Sequence, residues 1–209
     1  YLRKNMVDGV NVLTQDFFTN EDGTEKTDTR YIIQYDYDLN GATITIPEGC
    51  VLDFQGGSFS NGKIKGNLTL IEAPLVKILG EDLITDGSWN LDKINVEWFG
   101  AVGDGNSDSS TAVKNAIRFH NNNNRTTFVH GPYDHHRHTT IQFNQGVYRI
   151  NQSVVYNTGI TFKGENSLIV SDLGVETPVF DSGYLVDGNL ISNSSLSTQE
   201  LISKGLCIG

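Results

Sequence analysis

Residues 40–71 read NGATITIPEGCVLDFQGGSFSNGKIKGNLTLI, and this stretch decides the fold. Ala42-Thr43-Ile44-Thr45-Ile46 alternates with period two, Pro47-Glu48-Gly49 turns, and Val51-Leu52-Asp53-Phe54 alternates again. Gly56-Gly57, Asn61-Gly62 and Gly66-Asn67 then punctuate the chain up to Leu68-Thr69-Leu70-Ile71. Two-residue hairpins join longer strands than these. Strands of three to five residues with a corner after each suit a solenoid, in which each strand stacks on its counterpart one coil later. Ile46 to Leu68 and Phe54 to Ile78, separations of 22 and 24 residues, give the expected coil length.

Composition agrees with that reading. The 209 residues include 22 Gly and 20 Asn, the two types that enter positive φ most cheaply, and only one Met and four Pro. Good helix formers are scarce, so the expected class is all-β with turns every few residues. Fifteen Lys+Arg against 25 Asp+Glu give a net charge of −10. That excess of acid argues against a nucleic-acid partner, which needs clustered cations. No apolar run approaches the ~18 residues of a membrane span, and the patterning excludes a disordered chain. Cys50 and Cys207 lack metal-ligand spacing and are expected to be buried thiols. Tyr1 begins within structured-looking sequence and Leu206-Cys207-Ile208-Gly209 ends within an apolar pattern, so a fragment of a longer polypeptide is expected.

Outward from the deciding stretch, three parts are expected: a lead-in or connector over 1–30, a small solenoid-like domain over 31–95, and the capped beginning of a longer β-helix over 96–209. Thr14 is placed to cap a short helix anchored by Phe17 and Phe18, and a polar loop comes next over 20–28. Tyr31, Ile33, Tyr35, Tyr37 and Leu39 fall on one side of a single expected strand. The sequence contains one convincing helix, Thr111 to His120, capped by Asp108, Ser109 or Ser110, with Ala112, Val113, Ala116, Ile117 and His120 forming its apolar face. Asn121 to Asn124 ends it. Further strands are expected at Ile141-Gln142-Phe143, Val147-Tyr148-Arg149-Ile150, 159–164 and Leu168-Ile169-Val170.

The run Trp98-Phe99-Gly100-Ala101-Val102-Gly103-Asp104-Gly105, continued through Ile117 and then by Gly146-Val147-Tyr148-Arg149-Ile150 and Ile160-Thr161-Phe162-Lys163-Gly164, resembles the opening of the pectate-lyase-like, right-handed parallel β-helix superfamily. Phage tailspikes and tail fibres, polysaccharide lyases and glycoside hydrolases share that opening. The family pattern carries two Asp and a Thr after Gly-Asp-Gly; here Asp108 keeps the first Asp, and Ser109 and Ser110 replace the other two. The insertion from His130 to Thr140 is a second departure. Tyr31 to Gly66 is similar to the N-terminal region of β-helix proteins of gut Bacteroidales and their phages. The resemblance implies a right-handed parallel β-helix start with one capping α-helix, which would cover the first rung and block an open end.

The chemistry-bearing residues are few. Asp104 and Asp108 form a tempting carboxylate pair, but the family opening uses these positions to close a corner and cap the helix; glycosidase dyads need two carboxylates held across a sugar at about 5 to 10 Å. Asp36 and Asp38 share a strand face, as a solvated pair or Ca²⁺ ligands. Trp89, Trp98, Tyr31, Tyr35 and Tyr37 suit a core or subunit interface better than a sugar platform. In Asp134-His135-His136-Arg137-His138, an extended backbone points His136 and His138 to one side. Three such pairs around a three-fold axis resemble the His-x-His iron sites of phage fibres, so these two are the candidate ligands of a transition metal. No catalytic residue and no other cofactor is expected.

The resemblance thus points to a structural, attachment segment of a homotrimeric phage tail fibre or tailspike in the virion. Its partners would be other tail proteins and a host surface polysaccharide. The alternatives are the N-terminal portion of a secreted polysaccharide lyase or glycoside hydrolase, and a cell-surface adhesin.

Overall fold

The computed structural model describes residues 1–123, 139–157, 160–173, 179–186 and 189–192. Among these residues it is all-β with one α-helix. A small antiparallel ribbon, β1 (Met6–Val7) and β2 (Val10–Asn11), precedes a single turn of 3-10 helix at Gln15–Phe18. Then come β3 (Arg30–Ile33), β4 (Tyr37–Asp38), β5 (Thr43–Thr45), β6 (Val51–Phe54), β7 (Phe59–Ser60), β8 (Gly62–Glu72) and β9 (Leu83–Trp89). β10 (Lys93–Asn95), a 3-10 turn at Val96–Phe99 and β11 (Asp104–Asp108) lead into α1 (Ser110–Asn122). β12 (Thr140–Phe143), β13 (Gly146–Arg149), β14 (Val154–Asn157), β15 (Thr161–Gly164), β16 (Ser167–Val170), β17 (Phe180–Val186) and β18 (Asn189–Ser192) complete the described elements.

From β3 to β16 every strand pairing is parallel. Partners between β3 and β9 lie 19 to 22 residues apart: Arg30 faces Val51, Val51 faces Leu70, Tyr37 faces Phe59, and Gly62 faces Leu83. Of the separations expected, 22 residues lies at the top of this range and 24 beyond it. Ile46 donates its N–H to the Lys65 carbonyl, so its neighbour in the next coil precedes Leu68 by two to three residues. Asn40-Gly41 and Asn61-Gly62 are therefore not hairpin turns. Their left-handed backbones stack as one corner in successive coils, with Gly41 N–H donating to the Asn61 carbonyl at 2.8 Å.

Period-two alternation sends one side of each strand inward, and equivalent inward residues lie above one another. Tyr31, Leu52 and Ile71 form one such file; Ile44, Ile64 and Thr85 form another. The core is continuous from Leu2 to Val154, and each fully buried Ile, Leu or Phe contributes about 1.5–3 kcal/mol. The expected single strand over 31–39 breaks at Tyr35, which turns outward and is 38% exposed, while Tyr31, Ile33, Tyr37 and Leu39 are buried. A corner is required there: a Cβ on Gly57 of the next coil would lie 2.2 Å from the Tyr35 carbonyl oxygen, so that position admits only glycine.

Stacking continues across 89–98. Asn90 N–H donates to the Thr69 carbonyl, and both Ile78 and Leu79 donate to the Trp98 carbonyl at 3.0 Å. α1 packs on β9, the Val96–Phe99 turn, β10, β12 and β14, with Phe119 between Trp89 and Phe99 at ring separations of 5.2 and 5.9 Å. It therefore packs both on β9, the last strand before residue 90, and on the strands that follow. Its buried face also differs from the expected one: Phe119 is 1% exposed and His120 only half-buried. The first rung is covered by the lead-in, whose Leu2, Leu13, Phe17 and Phe18 are buried against it. No helix of the described residues is long and apolar enough to cross a membrane.

Candidate functional site

The segment from Asn95 to Ser110, together with the coil above it, holds the densest group of buried polar side chains among the described residues. Asn95, Glu97, Ser109, Ser110 and Gln142 are all less than a tenth exposed. Glu97 sits in the apolar run Val96-Glu97-Trp98-Phe99, whose 3-10 turn is closed by Gly100 at φ +97. That turn points the carboxylate into the stack. Tyr148, the inward residue of β13, donates its hydroxyl to Glu97 Oε1; Asn144 donates its side-chain amide to Oε2 at 2.9 Å and its backbone N–H to Oε1 at 3.3 Å. The same amide reaches Asn95 Oδ1 at 3.1 Å. Burial, and then the neighbouring carboxylate, push the Tyr148 hydroxyl well above the ordinary tyrosine range, so it stays a donor.

Asp104 and Asp108 stand at the two ends of β11 and serve separate turns. Asp104 Oδ1 accepts the backbone N–H groups of Asn106 and Ser107, both at 2.8 Å, and Oδ2 accepts the Ser107 hydroxyl. These bonds, the Ser107 N–H foremost, hold its carboxyl below the usual range. Asp108 Oδ1 accepts the N–H of Ser110 at 3.0 Å, its hydroxyl, and the Asn151 N–H at 3.3 Å. Burial pushes this carboxyl up, but the bonds from Ser110 and Asn151 outweigh it and the net displacement is downward. Ser110 Oγ in turn accepts the N–H groups of Asn151 and Gln152 at 2.9 and 3.0 Å. Ser109 donates to and accepts from Val102. Neither serine caps the helix as expected: Ser109, at the N-cap, pairs its hydroxyl with Val102 and Ser110 pairs its own with Asp108, Asn151 and Gln152, so the side chain that meets the first helical N–H is that of Asp108.

A second polar arrangement lies on the outer face of the first coils. Asp53 and Glu72 face each other on adjacent strands, and Arg30 spans them, with Nη1 3.2 Å from Asp53 Oδ2 and 2.6 Å from Glu72 Oε2. The guanidinium holds the Glu72 carboxyl below its usual value. Asp36 accepts the Ser58 hydroxyl at 2.7 Å, and Asp38 accepts the Asn61 amide at 2.8 Å, so each ties one coil to the next. A shallow groove lined by Ser58, Ser60, Lys77, Gly80, Glu81 and Asp82 lies beside them. Of the aromatic residues, Trp89, Trp98, Tyr31 and Tyr37 are buried in the core, and Tyr35 lies outside under the Lys4 ammonium, 4.5 Å from its ring centre. Cys50 is a buried free thiol; Cys207 lies outside the described residues. His136 and His138 also lie outside them, and no group of three or more His, Cys, Asp or Glu among the described residues is arranged to hold a metal.

The sequence pattern of the rhamnogalacturonase A/epimerase, pectate lyase-like family matches residues 93–204, more than half of the chain. The chain belongs to that family. The matched region begins at β10 and takes in the Glu97 cluster, both aspartate turns, α1 and the coils above it. Within this pectate-lyase-like region, neither residue type nor spacing singles out Glu97, Asn144 and Tyr148; the one signal in the sequence is an acid enclosed by Val96, Trp98 and Phe99. No curated protein and no solved structure matches the chain.

Proposed function

We propose that this chain is a structural segment of a right-handed parallel β-helix. In this reading it is a mechanical part of an elongated appendage of the phage tail fibre or tailspike kind, which carries a distal receptor-binding or glycan-cleaving part. One observation carries the reading: the carboxylates of the family's opening are engaged in shaping its turns, and two of the three, Glu97 and Asp108, also tie one coil to the next. Glu97 is enclosed by Tyr148 and Asn144, Asp104 by its own turn, and Asp108 by the start of α1 and the coil above. Carboxylates held this way stiffen a rod.

The parallel pairings support the β-helix, because each coil hangs its backbone on the one below for the whole length from β3 to β16. Division into a lead-in over 1–30, a first unit over 31–95 and a second from 96 onward belongs to the same proposal, as do a homotrimer and a His136–His138 metal site on its axis. Light scattering of the purified chain tests the assembly: three times the single-chain mass is expected, and one chain mass overturns the trimer.

The second reading, part of a secreted pectin-type polysaccharide lyase or hydrolase, is favoured by the family itself and by the adjacency of Asp53 and Glu72. Incubation with rhamnogalacturonan-type pectin separates the two. Release of reducing ends that Glu72→Gln abolishes would establish the enzyme and end the structural proposal.

A further inference from the structure

Leu68 is an anomaly on the surface of the coils. Its φ is +51, and its side chain is 41% exposed. The corner residues stacked with it, Asp28 and Gly49, are of types that enter this backbone region readily. A leucine there bears the conformational cost and, within one chain, gains little packing in return. Backbone outliers of this kind concentrate at functional sites.

The corner separates two outer faces of opposite sign. On one side, β5, β8 and β9 turn Thr43, Lys63 and Ile84 outward in one row, and Thr45, Lys65 and Asp86 in the next. Two lysines against one aspartate make this face net positive, and Ile84 on it is 49% exposed. On the other side, β3, β6 and β8 turn Arg30, Val51 and Leu70 outward in one row, and Ile32, Asp53 and Glu72 in the next. Two carboxylates against one guanidinium make that face net negative, around the half-buried aliphatic residues Ile32, Val51 and Leu70. A chain of net charge −10 repels its own copies, so association needs faces that attract.

We infer that copies of this chain meet along the Leu68 corner, the lysine face of one copy lying on the carboxylate face of the next. Leu68 then packs beside the Ile84 of one face and the Val51 and Leu70 of the other. Because the two faces differ, the contact is heterologous, and it ends growth only by closing into a ring. Complementary charge fixes which faces pair. The inference rests on the homotrimer proposed above and assigns its interface.

The test follows dissociation of the full chain on dilution, by light scattering and sedimentation. Lys65→Glu, at an exposed position, should raise the concentration at which the trimer dissociates by about tenfold or more. Adding Glu72→Lys in the same chain should restore the parent value, because each face then carries the other's charge. Leu68→Asn decides the matter, since asparagine suits the corner and the variant folds. Its trimer should dissociate at a concentration about tenfold or more higher, while the dissociated chain unfolds at a higher denaturant midpoint than the parent. A leucine needed only within its own chain would not move the two in opposite directions. A three-chain parent whose dissociation Leu68→Asn leaves unchanged overturns this interface and leaves the trimer standing. A parent of one chain mass overturns both.

Discussion

Tyr148 donates its phenolic hydrogen to Glu97 across 51 residues of chain, joining the turn that opens one coil to the strand that lies above it. Both groups are buried, so neither has water to fall back on. An unpaired buried acceptor costs about 1–3 kcal/mol, more when charged. Tyr148→Phe should therefore destabilise the chain by about 2 kcal/mol, and Glu97→Gln by a similar amount. A double-mutant cycle in urea should give a coupling of about 0.5–3 kcal/mol; additivity would show that the bond carries no energy of its own.

Asp108 should matter more than its partial exposure suggests. It satisfies the Ser110 N–H at the start of α1 and the Asn151 N–H of the coil above. Asp108→Ala should cost about 1 kcal/mol, as for other lost helix caps. Its folded value is depressed, as are those of Asp104, Glu72 and Asp86. The stability such groups confer is complete above their unfolded values near pH 4 and is lost as pH falls through the folded ones. Thermal midpoints should decline below about pH 4, and Asp108→Ala should decline less steeply. Parallel acid limbs for variant and parent would refute the assignment.

Leu68 occupies a corner whose stacked equivalents are Asp28 and Gly49, and all three have positive φ. Asp and Gly enter that region readily, whereas a leucine there costs about 1–2 kcal/mol. Its side chain is 41% exposed, so little packing compensates. The Leu68 N–H is held by Ser88 Oγ at 2.8 Å, which any residue retains. Leu68→Asn should accordingly raise stability by about 0.5–1 kcal/mol, read as a higher denaturant midpoint at unchanged slope. A lower midpoint would show that the leucine packs usefully.

Corners of this kind are the legible part of the sequence. Asn40-Gly41 and Asn61-Gly62 announce themselves by composition, and α1 by Asp108, Ser109 and its apolar spacing. The two pairs read from apolar spacing overshoot by two and five residues, because the true partners are not large apolar residues: Ile46 lies beside Lys65 and Gly66, and Phe54 follows Asp53, which faces Glu72. His120 falls on the expected helix face in place of Phe119 because a period of four runs one residue too far; the real stripe turns toward Trp89 and Phe99. The lead-in's attachment to β3, β4 and β5 is illegible. Its bonds are made by backbone groups of Leu2 and Leu13 and by one amide side chain, and none of these leaves a periodic trace. Glu97 is hidden for the opposite reason, since a lone acid in an apolar run reads as a solvated interruption until Tyr148 is brought over it.

Alkaline pH should unfold this chain earlier than its acidic composition implies. Burial raises the hydroxyls of Tyr31, Tyr37 and Tyr148 above the ordinary value of 10.0, Tyr31 to about 12. Tyr31 donates to the Lys26 carbonyl, and Tyr37 to the carbonyls of Leu2 and Arg3. For an acid whose folded value is raised, the native state holds its proton where the unfolded state has released it. Stability is therefore unaffected below about pH 10 and falls as pH rises through the window toward 12. Three such groups falling together make the decline steep, and phenolate absorbance should appear in one cooperative step with loss of the β signal. Tyr37→Phe should remove one ionisation and shallow that decline. Independent titration of the tyrosines near pH 10 in a chain that stays folded would contradict their burial.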